Sequence, residues 1–410
     1  MALHKPMSAF DIAKWLDNRN CKLKDCYEGN THGGYAGRTA QEKKDSFLVD
    51  LKSYAKKIKQ SKLIELNNRR ENIGWNAINI SRCLRGFAGV PADCTEVQAV
   101  LAALANKIKN SSDNLDAQAI GNALYGLQSM NAESDAVKQV LEALANKIKN
   151  SSDNLSAQNI GNALYGLQNM NAESDAVKHV LEALANKIKN SSDNLDAQAI
   201  GNALYGLQNM NIQNPSVRNI LKEIEKKFPD NFCKNITNEI SLLEWGQTVI
   251  GYLGLAKHST LTVSQVQRLF PKIQWTSEVI DYKTVKEQFI LALKALHLKN
   301  DILDLHSLDH ASAKLLLEET ISSTSSKLVK KIICGAGRHS KHPDNKMHSL
   351  LQNHLQDHHI AGTWQKDGGN FTVSDSSNAQ WSLSSTQKKD PQASSSTQTT
   401  PSSTQPKKRY

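Results

Sequence analysis

The chain has 410 residues, enough for two or three domains, which excludes a single small module. Hydrophobic residues make up 39% and aromatic residues only 6%. This balance favours helices with a core of Ala, Leu, Ile and Val over an aromatic-rich β-sandwich. The formal net charge of +10 suggests a polyanionic partner.

The N-terminal residues 1–73 are predicted to form helical segments around the glycine-rich stretch EGNTHGGYAGR, and we assign no chemistry to them. They hold 15 Lys and Arg against 9 Asp and Glu, whereas residues 101–210 hold 8 against 11. The basic charge therefore lies in the flanks. Neither a bilayer-spanning apolar run nor an apolar signal segment is present, so we expect a cytoplasmic chain that does not enter a membrane.

The cysteines are scattered without CxxC spacing, which argues against a disulfide framework and against a structural zinc site. Cys21, Cys26 and His32 could supply three zinc ligands. We favour two free thiols in a reducing cytosol as the interpretation of this cysteine pair.

The strongest feature of the sequence is a repeat with a period of 40 residues. The segment LANKIKNSSDNL begins at Leu104 and recurs at Leu144 and Leu184. Each unit reads as two helices, the first with apolar residues such as Ile120 and Leu124 on one face. The second begins after a serine N-cap and ends in lysines, as cap chemistry and the helix dipole favour.

Degenerate copies of the unit flank the three central ones. One is NAINISRCLRGFAGV, and another is GQTVIGYLGL, which aligns if five residues are inserted. We therefore count about five units over residues 74–275. This pattern predicts an α-solenoid with divergent capping repeats.

A polar stripe follows the first helix of each central unit, with Gln, Asn and Tyr at i, i+4 and i+7. Its members are Gln118, Asn122 and Tyr125, then Gln158, Asn162 and Tyr165, then Gln198, Asn202 and Tyr205. Such side chains can hydrogen-bond base edges and stack on bases, which makes the asparagines and tyrosines candidate RNA-binding residues. The alternative, which we favour for Asn and Tyr, is that they satisfy backbone groups and pack between units.

Lysines recur near the end of the second helix of each unit, at Lys107, Lys109, Lys147, Lys149, Lys187 and Lys189. They would form a ladder along one edge of the array, and we take Lys109, Lys149 and Lys189 as candidate phosphate contacts. Lysine is also favoured at helix C-termini by the dipole. Because the units are acidic overall, we expect the basic flanks to assist any RNA binding.

The unit, a 40-residue helix pair containing xNALYGLxxM, resembles the octotricopeptide-type helical repeats of organellar and some bacterial RNA-binding proteins. The resemblance covers about half of the chain. It implies that RNA binds along the solenoid.

A different pattern begins at residue 301 and continues to residue 373. The segments ILDLH, DHASAKLLLEETI, KLVKKIICGAG, NKMHSLLQNHLQDHH, TWQKDGG and NFTV read in the order βαβαββ, which predicts a small two-layer α/β domain. Residues 276–300 are predicted to hold a connecting helix. Residues 374–410 form a basic tail rich in Ser, Thr and Gln, which we expect to be disordered. It could serve as a solubilising tail, as a translocation signal for a bacterial secretion system or as a nuclear-type basic cluster.

The chemistry of this domain lies where strands end. Asp304 and His306 are two residues apart on a strand, so their side chains point to the same side. The loop GAGRHS, residues 335–340, follows the next strand and precedes a helix. Its glycines let backbone amides approach a phosphate, and Arg338 and His339 can donate to phosphate oxygens.

The motifs LDLH at 303–306, CGAGRHS at 334–340, the M-x3-L-x3-L helix at 347–355 and GGNFTV at 368–373 closely resemble the small MutS-related (Smr) domain. The resemblance implies a nucleic-acid-binding domain that in many members is an endonuclease. It matches Asp304 and His306 to the family's Asp-x-His pair, and Gly335, Gly337 and His339 to its glycine loop. Ser307, Cys334 and Ala336 depart from the usual Gly, Thr and basic residue.

Cleavage of RNA requires a general base, a general acid and a positively charged group that contacts the phosphate. We predict His306 as base or acid, Asp304 as its orienting partner or a metal ligand, and His339 as the complementary acid or base. Arg338 is the predicted phosphate clamp, with Ser340 and the loop glycines as further contacts. The remaining histidines of the domain are read as surface or helix residues, namely His310, His342, His348, His354, His358 and His359.

The sequence thus predicts an endoribonuclease in which the repeats hold RNA and the Smr-like domain cuts it. No cofactor is required by the motifs, although Asp304, His306 and a third ligand could bind a divalent metal. One alternative is a protein-binding solenoid with a non-catalytic Smr-like module. A DNA-nicking enzyme is the other.

Overall fold

The computed structural model describes residues 7–17, 23, 39–64, 74–229, 239–257, 259–271, 273–275, 279–306, 308–321, 329–334, 346–365 and 369–373. Within these ranges the chain is mostly helical and has a small mixed sheet in its C-terminal part. This agrees with the predicted sequence of helices followed by an α/β unit. None of the helices in these ranges is long and apolar enough to cross a membrane.

The helices that precede the sheet are paired along the chain. They are α1 (Ala9–Leu16), α2 (Ala40–Gln60), α3 (Ala77–Arg85), α4 (Thr95–Asn110), α5 (Ala117–Tyr125), α6 (Asp135–Asn150), α7 (Ala157–Tyr165), α8 (Asp175–Asn190), α9 (Ala197–Leu207), α10 (Pro215–Glu225), α11 (Glu239–Ala256) and α12 (Val263–Leu269). Helices α1, α3, α5, α7, α9 and α11 pack in that order as a first row. Helices α2, α4, α6, α8 and α10 pack as a second row.

The two rows bury the apolar faces that the sequence predicts. Ile120 and Leu124 of α5 are fully buried, as is Leu144 of α6. The side chain of Asp116 caps α5 by accepting a hydrogen bond from the backbone N–H of Ala119 at 2.6 Å. The serine before α6 occupies the N-cap position as predicted, but its hydroxyl makes no capping hydrogen bond.

Glycines allow the first-row helices to approach one another closely. A Cβ added at Gly126 would overlap the carbonyl oxygen of Leu84, and one at Gly166 would overlap that of Leu124. The same contact recurs between Gly86 and Leu16, Gly206 and Leu164, and Gly251 and Leu204. In α3, α5, α7, α9 and α11 this glycine is therefore a packing requirement of the repeat.

The array begins earlier in the chain than the sequence predicts. Gly86 of the first predicted unit packs on the backbone of Leu16 in α1, and Asp17 forms an ion pair with Arg85. Helix α2 packs on α4 in the second row. The pair α1 and α2 is thus a further, divergent unit at the N-terminal end of the array.

The C-terminal part contains α13 (Tyr282–His297), α14 (His310–Thr320) and α15 (Lys346–Asp357), with strands β3 (Leu298–Lys299), β4 (Ile302–Asp304), β5 (Lys331–Ile333), β6 (Gly362–Trp364) and β7 (Asn370–Val373). The sheet order is β3-β4-β5-β7-β6. Strands β4 and β5 are parallel, and the other neighbours are antiparallel.

Residues 276–300 are more than the predicted connecting helix. They also contain β2 (Val279–Ile280), which pairs with β1 (Leu261–Thr262), and β3, which pairs with β4. The sheet therefore has one strand more than the sequence predicts, and the predicted boundary at residue 300 falls inside the β3–β4 hairpin. A strand of two residues is too short to give a periodic signal.

The sheet unit packs directly on the last helix of the first row. The indole of Trp245 in α11 meets the ring of Phe289 in α13 edge-on at 5.0 Å between centroids. A Cβ added at Gly246 would lie against the side chains of Asp309 and Ser312, in the first turn of α14. The N-terminal end of α14 is therefore held against the array.

Candidate functional site

The predicted pair Asp304 and His306 lies at the carboxyl end of β4. Leu303 and Leu305 are fully buried, whereas Asp304 is half-buried and His306 is exposed. The predicted placement of Asp304 and His306 on one side requires that the strand continue through both residues. The strand ends at Asp304, however, so His306 lies in the turn that follows it.

Asp304 orients His306 through its backbone. The carboxylate oxygen Oδ1 of Asp304 accepts a hydrogen bond from the backbone N–H of His306 at 2.9 Å. On the other side, Nδ1 of His297 lies 2.8 Å from the carbonyl oxygen of Asp304, to which it donates. Asp304 is thus fixed at two points, and the position of the His306 backbone is set by its carboxylate.

His297 is a contributor to this region that the sequence analysis missed. It is the last residue of α13 and is buried, and its Nε2 has no hydrogen-bond partner among the described residues. Burial lowers its pKa, which favours the neutral ring that donates to the Asp304 carbonyl. Only the position of this histidine just before β3 could have indicated its role.

The carboxyl ends of β4 and β5 lie side by side. The backbone N–H of Leu305 donates to the carbonyl oxygen of Ile333 at 2.8 Å, which extends the parallel pairing past Asp304. The N–H of Cys334 donates to the carbonyl of Gly369 at 2.9 Å. The chain therefore leaves β5 beside the turn that carries His306.

The glycine loop that follows β5 lies outside the described residues. Its predicted phosphate-binding and catalytic residues are Gly335, Gly337, Arg338, His339 and Ser340. Their roles stay predictions. Within the described part of the chain, no group of three His, Cys, Asp or Glu side chains is arranged to hold a metal ion.

The remaining histidines of the domain differ from the prediction at one position. His354 was expected to lie on the surface, but it is buried and its Nε2 donates to the carbonyl oxygen of Ile321 at 2.8 Å. It lies on the core face of α15, between Leu351 and Leu355. The ring of His348 packs against that of Trp364, with 4.1 Å between centroids, and the ring of His358 packs on that of His354. His310 and His359 are exposed, and His342 lies outside the described residues.

The burial of His354 predicts a pH dependence of stability. Burial is the main cause that lowers its folded-state pKa below the ordinary value of 6.5. The unfolded chain then binds a proton more readily than the folded chain, so stability is lost as the pH falls below about 6.5. We expect a lower urea midpoint at about pH 5.5 than at about pH 7.5.

The variant His354→Gln isolates this effect, because its amide can still donate to the Ile321 carbonyl but does not titrate. It should lose less stability than the parent between the two pH values when unfolding is followed by circular dichroism. An equal loss in parent and variant would show that His354 does not contribute.

The tyrosines of the polar stripe stack on one another. The ring centroids of Tyr125 and Tyr165 are 5.9 Å apart, and those of Tyr165 and Tyr205 are 5.8 Å apart, with interplanar angles of 21° and 17°. Burial raises the pKa of Tyr165 to about 12. Since each ring covers part of its neighbour, a base would stack between tyrosines only by displacing one of these contacts.

The amides of the stripe are more accessible than its rings. The asparagines Asn122, Asn162 and Asn202 are half-buried, and the glutamines Gln118, Gln158 and Gln198 are exposed. The structure therefore places one exposed glutamine and one half-buried asparagine of the stripe on each central first-row helix, and α7 carries the half-buried Asn159 in addition. Their predicted contact with RNA stays a prediction.

The lysine ladder divides into two sets. The inner set bridges successive units, since the ammonium of Lys147 donates to the carbonyl oxygens of Ser111 at 2.6 Å and Asp113 at 2.8 Å. Equivalent bonds join Lys107 to Ser61, Lys187 to Ser151 and Lys227 to Ser191. The outer set, Lys109, Lys149 and Lys189, is exposed. Of the two sets, it is the inner one that joins successive units in this way.

We expect the two lysine sets to differ in their effect on stability. The triple change Lys107→Gln, Lys147→Gln and Lys187→Gln should lower the free energy of unfolding by about 1 kcal/mol per lysine, because backbone carbonyls lose a charged donor. The matched change of Lys109, Lys149 and Lys189 to Gln should leave it within about 0.5 kcal/mol. Urea unfolding followed by circular dichroism measures both. Equal losses of stability in the two triple variants would contradict the division of the lysines into an inner and an outer set.

A polar groove of about 490 Å³ lies on the outer face of the second row, between α6 and α8. It is lined by Glu142, Lys149, His179 and Glu182, among other residues. Lys149 thus shares the lining of this groove with two glutamates. The sequence alone does not reveal the groove, because it depends on how neighbouring units pack.

No protein-family model matches the chain, and no curated protein matches its sequence. Its chemistry is therefore inferred from its own residues and their geometry.

Proposed function

We propose that the chain is an RNA-binding endoribonuclease. In this proposal the stacked helix pairs form a solenoid of the octotricopeptide type that holds RNA, and the C-terminal part is an Smr-like domain that cleaves it. The observation that supports it most is the placement of His306, an exposed residue whose backbone N–H donates to the Asp304 carboxylate beside the strand that leads to the glycine loop.

The arrangement suits acid–base chemistry at a phosphate. A phosphate placed between the turn at His306 and the segment after β5 would have an imidazole on one side and, by prediction, Arg338 and His339 on the other. His306 would take a proton from the attacking 2′-hydroxyl or water, or give one to the leaving oxygen. Arg338 would stabilise the charge on the phosphate.

Packing of the sheet unit on α11 supports cooperation between the two parts. RNA held by the array would be delivered to a domain whose α14 lies against Gly246 rather than on a long tether. Binding by the array raises the effective concentration of RNA at the catalytic residues.

The proposal is tested by incubating the full-length chain with end-labelled single-stranded RNA, duplex RNA and DNA of the same sequence. We expect cleavage of RNA and not of DNA. Cleavage of DNA alone would identify a DNA-nicking enzyme, and binding without cleavage of any substrate would leave a nucleic-acid-binding module.

The contribution of phosphate contacts is tested with the outer lysine set. Changing Lys109, Lys149 and Lys189 to Gln should weaken RNA binding and reduce the slope of log affinity against log salt by about 2, since each phosphate contact in a single strand contributes about 0.7. Unchanged affinity together with no salt dependence would exclude the phosphate track.

A second candidate is a protein-binding array with a non-catalytic Smr-like module. It is favoured by the acidic balance of the central units and by the engagement of the inner lysines in contacts between units. Failure of RNA to bind would favour this candidate.

A further inference from the structure

The exposed face of the first-row helices is constant in the middle of the array and different at its ends. In α5, α7 and α9 the residue eight positions before the packing glycine is Gln118, Gln158 or Gln198. The packing glycines are those that contact a leucine carbonyl of the preceding helix, namely Gly86, Gly126, Gly166, Gly206 and Gly251. Eight residues before Gly86 stands Ile78 in α3, which is 60% exposed, and eight before Gly251 stands Leu243 in α11, which is 37% exposed.

The second position of this face changes in the same way. Four residues before the packing glycine stands an asparagine in each central helix, at Asn122, Asn162 and Asn202. Arg82 takes this position in α3 and Gln247 takes it in α11. We call the six amides of α5, α7 and α9, from Gln118 to Asn202, the amide stripe.

The three central units repeat at an even spacing. The tyrosine ring centroids, one per unit beside the amide stripe, are 5.9 Å and 5.8 Å apart. Stacked nucleotides along one strand are separated by only about 3.4 Å. A strand that places one nucleotide on each unit must therefore be unstacked, with its bases turned toward the protein, as in sequence-specific recognition of single-stranded RNA.

We propose that the amide stripe binds a run of three identical nucleotides in single-stranded RNA, one on each of α5, α7 and α9. The inference rests on the proposed function and specifies its ligand. A carboxamide carries one acceptor and one donor group, a pairing that distinguishes base edges. Because the three subsites carry the same Gln–Asn pair at an even spacing, they rank the bases in the same order, so the preferred ligand repeats one base.

The run ends where the chemistry of the face changes. Ile78 and Arg82 on one side, and Leu243 on the other, offer apolar and cationic contacts in place of the amide pair. Ile78 and Leu243 offer no hydrogen bond to a base edge, so Arg82 and Gln247 stand without the glutamine of the central units, and neither end repeats the Gln–Asn pair. The nucleotides that flank the run are therefore not required to match it.

The test uses the full-length chain carrying His306→Ala, which prevents cleavage during the measurement. Binding of labelled oligo(A), oligo(U) and oligo(C) is compared by fluorescence anisotropy with binding of a mixed-sequence RNA of equal length. One homopolymer should bind roughly tenfold more tightly than the mixed RNA. Replacing one base within the run of three by a different base should remove most of this preference.

A stripe variant copies residues that the chain already uses at the same positions. Gln158→Ile with Asn162→Arg gives α7 the pair found in α3, so the helix and its packing are expected to be retained. The ratio of homopolymer to mixed-sequence affinity should fall roughly tenfold. The control Gln139→Ile with Asn146→Arg makes the same chemical changes at exposed positions of α6 in the second row and should leave the ratio unchanged.

Equal affinity for homopolymers and mixed RNA would overturn the inference while leaving RNA binding by the array intact. An equal fall of the ratio in the stripe and control variants would also overturn it. Failure of every RNA to bind would overturn the inference together with the RNA-holding part of the proposed function, and would favour a protein ligand for this face.

Discussion

Replacing His306 by alanine is expected to lower the single-turnover rate of RNA cleavage by about 10² to 10⁴-fold, the usual contribution of a positioned acid or base. Its imidazole is exposed at the carboxyl end of β4 and packs into no core, so the variant should fold. RNA affinity should stay within a few-fold of the parent. The measurement is gel analysis of end-labelled RNA, with circular dichroism to verify folding.

The matched control is His179→Gln. His179 is exposed on α8, and glutamine already stands at the equivalent position 139 of α6, so the change should be silent in cleavage and in stability. A folded His306→Ala protein that cuts RNA at the parental rate would contradict the assignment.

Variants of Asp304 separate its two predicted roles. Asn at this position keeps an oxygen that can accept from the His306 N–H, whereas Ala removes the acceptor. If Asp304 acts by holding the turn, Asp304→Asn should retain most activity and Asp304→Ala should lose it. Equal loss in both variants would instead indicate that the carboxylate charge is needed, as for a metal ligand.

The second large effect is expected for Gly166→Ala, which should lower the free energy of unfolding by at least about 2 kcal/mol. Gly166 has helical backbone angles, φ −61° and ψ −16°, at which alanine is normally the better residue. The added methyl group would overlap the carbonyl oxygen of Leu124, so α5 and α7 must separate. Helix propensity therefore predicts that Gly166→Ala raises the free energy of unfolding, whereas packing predicts that it lowers it.

Urea unfolding of the full-length chain measures this change. Ser152→Ala, at an exposed turn position of the same unit, is the control and should alter stability by less than about 0.5 kcal/mol. A Gly166→Ala protein as stable as the parent would contradict the close approach of the first-row helices.

The period of 40 residues was sufficient to predict the helix pairs of the central units, because their apolar faces and boundaries repeat with the sequence. It could not predict the pair α1 and α2. Leu16 of α1 occupies the place that Leu84 and Leu124 occupy in later helices, but it precedes Leu84 by 68 residues instead of 40. The backbone contact with Gly86 and the packing of α2 on α4 reveal the equivalence.

The division of the lysine ladder was also beyond the sequence. Lys147 and Lys149 are two residues apart and equally compatible with a helix end. Which of them reaches the preceding unit depends on how the rows pack, and the structure shows that Lys147 does. The burial of His354, by contrast, could have been predicted, because Leu351, His354 and Leu355 share one face of a helix.

At the candidate site, strand alternation predicts a common side for Asp304 and His306, which stays a prediction because His306 lies beyond the end of the strand. It could not show that Asp304 bonds to the backbone of His306, since the strand ends at Asp304, two residues before His306. His297 was missed because its contact with Asp304 joins a helix end to a strand seven residues later.

In the proposed function, one molecule holds RNA with its helical array and cuts it with its C-terminal domain. Single-turnover cleavage of one labelled RNA, measured over a range of protein concentrations, tests this directly. The Gln158→Ile, Asn162→Arg variant should need a higher concentration for half-maximal rate and reach the parental maximum, whereas His306→Ala should bind at parental concentrations and not cut. A maximal rate that falls with the stripe variant, or cleavage by His306→Ala at the parental rate, would contradict the claim.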